Sequence, residues 1–348
     1  MDEGAPLSDQ PIFRLQKDIL IDLLSGASPS MYAALIHTCK FFHVIKRTFP
    51  KGGIVKDSLN YHDLKLFQYL LISGYEHCNV SVTYEIASRG DLEMFKWACD
   101  NFGLQPSAFI TAARNGHFEI IKWGHENTDN QTHIHYLVTD AAASGGHLEI
   151  VKYLCNNGYG MNQSTCCSAA KGGHLDVLIW LRNQGCSWNI NVHADAASHG
   201  HLDILKWAYS HGLPLAYDLH SYAAMSGYQH IMQWLLDNGC EFDYETFENA
   251  AYNEQFKLFE FLHSNNCFWN EMVCYHTATC GNLEMLKWLR DKGCPWDEDV
   301  CMAALLGNHL EALKWLVGNG CPWNKQECRN RCENSKSRRD IVTWIDSL

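Results

Sequence analysis

The sequence is poor in charge, and it lacks the long apolar runs of a membrane-spanning protein. Only 19% of its 348 residues are charged while 47% are hydrophobic, which excludes a largely disordered chain, because disorder requires high charge and little apolar surface. Basic residues number 27 against 39 acidic ones, so the formal charge of -12 disfavours a protein built to bind nucleic acid or an anionic membrane. No apolar stretch approaches the ~20 residues that cross a bilayer.

Export signals and the common enzyme motifs are missing as well. The first residues, MDEGAPLSDQP, are acidic and polar where an export signal is basic and then apolar, so we expect a cytoplasmic protein. The sequence contains no phosphate-binding loop, no zinc-protease helix, no serine-hydrolase elbow and no dinucleotide fingerprint. We therefore predict that the protein is not an enzyme and carries no cofactor.

One phrase, G-H-L-E-x-L-K-W-L, recurs along most of the chain. We number each copy from its first Leu as position 0, and from Leu148 to Leu310 successive copies start 27 residues apart. An aromatic residue follows at position +5 in every copy, and a degenerate last copy contains Trp344. A fixed period of this length indicates a repeat architecture. The residues at position 0 are Leu64, Leu92, Phe118, Leu148, Leu175, Leu202, Gln229, Phe256, Leu283 and Leu310.

Each copy predicts two short helices joined by a tight turn. Apolar residues at positions 0, +3 and +6, such as Leu283, Leu286 and Leu289, follow helical spacing. An Ala-Ala pair at positions −6 and −5 marks a preceding helix, where small side chains allow close packing. A Gly at position −2, as in Gly281, suits the left-handed backbone that ends one helix and reverses the chain. Such a hairpin cannot bury its apolar face alone, so the copies must stack.

The repeated A-A-x-x-G-H-L-E-x-L-K-W-L resembles the core of the ankyrin repeat, over roughly residues 60 to 348. The period of 27 is shorter than the ~33 residues of that family, and the family's T-P-L-H segment is absent. The missing residues are those that build the projecting β-hairpin fingers. The resemblance therefore implies an ankyrin-like solenoid with trimmed or absent fingers.

The first sixty residues do not follow the repeat. The apolar patterns between Ile12 and Ser25 and between Leu35 and Ile45 resemble the F-box, with Gln16 where that pattern has Pro. The resemblance implies a three-helix segment that docks on the Skp adaptor of cullin-RING ubiquitin ligases. An F-box followed by short ankyrin-like repeats is similar to the F-box/ankyrin proteins of giant DNA viruses, which would place the protein in the host cytoplasm. The residues that this resemblance nominates for adaptor binding are Ile12, Leu15, Ile19, Leu20, Leu23 and Leu24.

We therefore predict an all-α protein with two parts. Residues 1–50 form the F-box-like helical segment, and residues 51–348 form an ankyrin-like solenoid of ten or eleven hairpins whose last copy is a cap. We expect a monomer whose partners are the Skp adaptor and an unknown target protein, with neither nucleic acid nor membrane as a partner.

The Cys, His and Trp residues recur at fixed repeat positions, which indicates structural roles. Cys186, Cys240, Cys267, Cys294 and Cys321 are separated by whole repeats of ~10 Å each, so they cannot converge on one metal ion or pair as disulfides with one another. Only Cys328 and Cys332 form a local candidate for zinc. The His at position −1 predicts a hydrogen bond between neighbouring repeats, as is typical of the ankyrin family. The residues in that phase are His117, His147, His174, His201 and His309.

Two functional hypotheses remain open from the sequence. In the first, the protein is a substrate-recognition adaptor of a Skp/cullin/F-box ubiquitin ligase, with the solenoid holding the target. In the second, the solenoid is a plain binding module that sequesters a partner without ligase recruitment, and Gln16 favours this alternative. Target specificity is expected at the variable positions −4 and −3, which face the inner surface of an ankyrin-type stack. The nominated residues are Arg89, Arg114, Asn115, Lys171, His199, Met225 and Tyr252.

Overall fold

The structure is a computed structural model that describes residues 80–103, 105–127, 136–332 and 338–348. The chain forms two compact units, Met1–Gly160 and Met161–Leu348. Every regular element in the described ranges is helical, so the predicted all-α class is confirmed. None of these helices combines the length and apolarity needed to cross a membrane. The F-box resemblance lies outside the described residues, and the predicted boundary at residue 50 stays a prediction.

The first unit is a row of helical hairpins. Its first helices α1, α3 and α5 pack side by side with α3 in the middle, and each is followed by a second helix that packs against it. The helices are α1 Val80–Arg89, α2 Leu92–Phe102, α3 Pro106–Arg114, α4 Phe118–Asn127, α5 Tyr136–Ser144 and α6 Leu148–Asn156.

The second unit repeats the same hairpin. The first helices from α7 to α17 pack in chain order, each against the next. A short 3-10 helix, Phe256–Leu258, precedes α14. The helices are α7 Gln163–Gly172, α8 Leu175–Asn183, α9 Asn191–His199, α10 Leu202–Ser210, α11 Leu219–Ser226, α12 Gln229–Asp237, α13 Tyr244–Tyr252, α14 Phe259–Ser264, α15 Glu271–Cys280, α16 Leu283–Asp291, α17 Glu298–Leu306, α18 Leu310–Gly318, α19 Lys325–Cys332 and α20 Arg339–Ser347.

The core of each hairpin is made by the positions that the repeat predicts. In the hairpin of α15 and α16, Leu286 and Leu289 at positions +3 and +6 are fully buried. The Ala-Ala pairs at positions −6 and −5, such as Ala196 and Ala197, are also fully buried and let neighbouring first helices approach closely. The connectors that the structure describes contain no strand, so the hairpins they join lack β-fingers, as the short period predicts.

The turn inside each hairpin is also the point where neighbouring hairpins touch. Gly281 has φ +73°, and a Cβ atom there would lie less than 3.0 Å from the His309 ring of the next hairpin. His309 Nε2 donates a hydrogen bond to the backbone carbonyl of Thr279 at 3.0 Å. The predicted inter-repeat hydrogen bond is thereby confirmed. The same close pairing occurs in Gly90–His117, Gly116–His147 and Gly173–His201, whose His rings bond to the carbonyls of Ser88, Arg114 and Lys171.

The hairpin of α13 and α14 departs from this turn, because Glu254 occupies position −2. Its φ of +59° lies in the left-handed region that side chains other than Gly rarely adopt. The second helix then begins with the 3-10 turn at Phe256 instead of a regular α-helix. Position −2 of the hairpin of α17 and α18 is Asn308, with φ +65°. Asn tolerates this backbone far better than Glu does.

We predict that Glu254→Gly stabilises the protein by about 1 kcal/mol, because Gly adopts the left-handed backbone without steric cost. The matched variant Asn308→Gly is expected to change the free energy of unfolding by less than ~0.5 kcal/mol, since Asn already tolerates this backbone. Urea denaturation followed by far-UV circular dichroism measures both. A Glu254→Gly variant no more stable than wild type would contradict the assignment of strain to this turn.

Candidate protein-binding surface

The solvent side of the first helices is the surface that differs most from one hairpin to the next. Positions −9, −6 and −5 of these helices point into the stack, so positions −12, −8, −7, −4 and −3 face away from the second helices. We call this side the first-helix face. The buried positions −6 and −5 carry small or apolar residues, most often an Ala-Ala pair, whereas the side chains of the first-helix face differ from one hairpin to the next.

In the first unit, two of the three predicted target-binding residues are engaged within their own helix. Arg89 Nη2 lies 2.6 Å from Glu85 Oε1, and its Nε donates to the same oxygen at 3.0 Å. Asn115 Nδ2 donates to the carbonyl of Thr111 at 2.8 Å, which closes the end of α3. Arg114 is exposed, and no described side chain pairs with its guanidinium. Of the three, Arg114 offers the most accessible positive charge.

The four predicted residues of the second unit lie on consecutive first helices. Lys171 is exposed at the end of α7, and His199 Nδ1 donates to the carbonyl of Asp195 at 2.9 Å on α9. Met225 on α11 is 40% exposed and Tyr252 on α13 is 67% exposed. Since these helices pack in order, the four side chains form a row along one face. No measurement of binding tests their predicted role.

The sequence interpretation missed three tyrosines that belong to the same face. Tyr217 is 92% exposed, Tyr244 is 48% exposed and Tyr222 is 36% exposed. Tyr217 lies 27 residues before Tyr244, and Met225 lies 27 residues before Tyr252, so two neighbouring hairpins present equivalent pairs. These tyrosines lie at positions −12 and −7, whereas the prediction of the target-binding face used only positions −4 and −3.

In the six hairpins from α7 to α18, position −9 of the first helix contacts the connector after the second helix. The ring of Phe247 lies 5.3 Å from that of Trp269, and the ring of His220 lies 5.9 Å from that of Phe242. His193 Nδ1 donates to the carbonyl of Pro214 at 3.2 Å. His193 is fully buried, and its Nε2 has no hydrogen-bond partner in the described structure.

In three hairpins this contact is made by two thiols, a pairing that the sequence interpretation missed. The partner of each connector Cys is a Cys 20 residues earlier on the first helix of the same hairpin. The hydrogen bond to Cys186, together with burial, raises the pKa of Cys166 above its ordinary value. The connector thiol also donates to the backbone, as Cys321 Sγ does to the carbonyl of Asp297 at 3.3 Å. The pairs are Cys166–Cys186, Cys274–Cys294 and Cys301–Cys321.

These thiols act as buried packing groups, in agreement with the interpretation of the Cys column. Burial is the main cause that raises the pKa of Cys267 to about 12, so this thiol stays protonated at neutral pH. Metal binding needs deprotonated thiolates in groups that converge. Cys328 and Cys332, the local zinc candidate, are both buried, and within the described ranges no cluster of three or more ligand residues has metal-binding geometry.

Comparisons with known proteins agree with the repeat architecture. Residues 109–194 match the family model of ankyrin repeats in three copies. A search of curated proteins found no match. Among solved structures, the chain is similar to the pentatricopeptide repeat protein PPR10 from maize, with 14% identity and a TM-score of 0.36, over 96% of this chain and 53% of that one.

A second solved structure similar to this chain is PPR10 in complex with an 18-nt psaJ RNA element. The identity is 9% and the TM-score is 0.30, over 94% of this chain and 65% of that one. The chain thus spans between about half and two thirds of the length of the two structures.

The ankyrin-repeat match covers residues 109–194, and the described helices before and after this range form the same kind of hairpin. Ankyrin repeats are protein–protein interaction modules. The first-helix face is the part of that module whose side chains vary.

Proposed function

We propose that this protein is a substrate-recognition adaptor of a Skp/cullin/F-box ubiquitin ligase. The observation that carries the proposal is the joint presence of an F-box-like pattern before residue 50 and a protein-binding repeat module after it. The N-terminal segment would recruit the ligase through the Skp adaptor, and the first-helix face would hold the target. We propose the cytoplasm as the location, which is the host cytoplasm if the protein is viral.

The second candidate is a binding module that sequesters its partner without recruiting a ligase. Gln16 favours it, because the F-box pattern has Pro at that position. The apolar series that includes Leu15, Ile19 and Leu23 favours the adaptor function instead, because it supplies the side chains that the Skp adaptor would bury.

The deciding experiment measures binding of the purified full chain to purified Skp adaptor. We predict that Leu15→Asp with Ile19→Asp lowers the affinity at least about a hundredfold, since two unpaired carboxylates would be buried in the interface. The matched control, Arg114→Ala with Lys171→Ala, changes two exposed cations of the repeat module and is expected to leave adaptor binding unchanged. Circular dichroism checks that both variants keep the helical fold.

Two results would reject the adaptor function. One is a wild-type protein that shows no adaptor binding at micromolar concentration, which leaves the sequestering module as the proposal. The other is a double Asp variant that binds as tightly as wild type, because the F-box-like pattern would then not be the docking segment.

A further inference from the structure

Two neighbouring hairpins of the second unit share an unusual group of exposed apolar side chains. Met225 lies on α11 and Tyr217 lies two residues before its start, while Tyr244 and Tyr252 on α13 occupy the equivalent repeat positions. The helices α11 and α13 pack against each other, so the two pairs lie side by side at about the ~10 Å spacing of packed helices. Tyr222, three residues before Met225 on α11, is the fifth exposed side chain of this group. We call these five residues the tyrosine patch.

The patch leaves large apolar side chains open to solvent. Tyr217 is 92% exposed and Tyr252 is 67% exposed, far more than a Tyr needs in order to keep its hydroxyl hydrated. The only described ring contact of Tyr252 is to His276 on α15, with the ring centroids 5.2 Å apart and nearly perpendicular. That contact holds the side of the Tyr252 ring and leaves the rest of it accessible. Exposed tyrosines with one apolar face are typical of protein interfaces.

The charges around the patch all have the same sign. Between Lys206 and Lys257 the chain contains no Lys or Arg, and all of this segment is described. Within it no acidic residue forms an ion pair with a described residue. Elsewhere in the second unit, second helices form acid–Lys ion pairs. In one of them Lys287 Nζ lies 3.1 Å from Glu284 Oε1. The acidic residues of the segment are Asp218, Asp237, Glu241, Asp243, Glu245, Glu248 and Glu254.

One tyrosine of the patch, Tyr244, lies beside acidic side chains. Tyr244 Oη donates to Glu245 Oε1 at 3.5 Å. The charge of Glu245 is the largest cause that raises the pKa of Tyr244 above its ordinary value, and Glu248 acts in the same direction. A cation that docks here would approach aromatic faces and carboxylates together, and both attract it.

We propose that the tyrosine patch binds a segment of the target protein in which Lys or Arg residues are interleaved with apolar ones. The apolar side chains would cover Met225 and the tyrosine rings, while the cations would lie over ring faces and beside Asp218 and Glu245. This inference rests on one part of the proposed function, namely that the repeat module binds a protein. The negative charge that attracts a basic peptide repels the phosphate backbone of RNA. We therefore do not expect RNA to bind this face.

The test uses the full chain and three fluorescein-labelled twelve-residue peptides in anisotropy titrations. The probe alternates Lys with Leu, one control alternates Lys with Ser, and the other alternates Glu with Leu. We expect the Lys/Leu peptide to bind at least about tenfold more tightly than either control, because only it matches both the charge and the apolar surface. Its affinity should fall as salt rises.

Matched variants locate the site. Tyr217→Ala with Tyr252→Ala is expected to weaken Lys/Leu binding at least about tenfold. Phe268→Ala, at a side chain that is 76% exposed in a connector outside the patch, is expected to leave the affinity unchanged. All three positions are exposed, so the fold should tolerate these changes, and thermal melts check this.

Several outcomes would overturn the proposal. Equal binding of the Lys/Ser and Lys/Leu peptides would show attraction to net charge alone. An unchanged affinity in the double Tyr variant would place the site elsewhere, and tight binding of a twelve-nucleotide single-stranded RNA would show a different class of partner. Adaptor binding measured on the same variants separates the two proposals, because the Tyr variant should bind the Skp adaptor normally whether or not the patch binds the peptide.

Discussion

Replacing Gly281 by Ala is expected to lower the free energy of unfolding by about 3 kcal/mol. The backbone at Gly281 has φ +73°, a conformation that costs an L-residue ~1 to 2 kcal/mol. The new Cβ would also displace the ring of His309, which would lose its hydrogen bond to the carbonyl of Thr279 and its packing between hairpins. Urea denaturation followed by circular dichroism measures the loss.

A second glycine of the same hairpin separates these two causes. Gly293 has a similar φ of +84°, but a Cβ there would meet nothing within 4 Å. We therefore expect Gly293→Ala to cost only the backbone strain of ~1 to 2 kcal/mol. Adding His309→Ala to Gly281→Ala should cost less than the two single changes combined, because the clash is removed. If Gly281→Ala is no worse than Gly293→Ala, the close approach between hairpins does not contribute to stability.

Stability is expected to fall as the pH drops below about 6.5 because of His193. Burial is the main cause that lowers the pKa of His193 from 6.5 in the folded protein, and the hydrogen bond to the Pro214 carbonyl only partly opposes it. In the unfolded chain the imidazole takes up a proton near pH 6.5, whereas in the fold its lowered pKa means that it takes up the proton only at a lower pH. The unfolded state therefore binds more protons as the pH falls, and folding stability is lost.

The size of this loss follows from the linkage relation. Each unit by which the folded pKa lies below 6.5 contributes ~1.4 kcal/mol, which is lost in full once the pH is below both values. We expect His193→Cys, which installs the residue found at this position in three other hairpins, to remove this part of the pH dependence between pH 7.5 and 5.5. The other His residues contribute equally to both proteins and cancel in the difference. An identical pH dependence in the two proteins would show that His193 titrates normally in the fold.

The sequence predicts most of the fold because each hairpin uses the same short-range pattern. Helical spacing around Leu283, the Ala-Ala pairs and the Gly at position −2 depend on neighbours a few residues away, and all appear in the structure as the pattern indicates. The His at position −1 was also assigned correctly, because a residue that recurs once per hairpin contacts the same part of the next hairpin each time.

The candidate site was predicted less completely. Met225 and Tyr252 were nominated and are exposed on the first-helix face, whereas Tyr217, the most exposed of the group, was missed. Whether a side chain near the start of a first helix is covered depends on how the preceding connector runs, which the repeat pattern does not specify. Arg89 was nominated for target binding, and in the structure it pairs with Glu85 one helical turn away.

The sequence by itself determined the class of fold, the repeat length and the positions that form the core, since these depend on periodicity alone. Only the tertiary structure decided which residues meet across a hairpin or between hairpins. Cys166 and Cys186 are 20 residues apart and become partners because the connector folds back over the first helix. Tyr217 and Tyr244 become neighbours because α11 packs against α13. Contacts of this kind depend on how helices stack, and no local spacing in the chain encodes that.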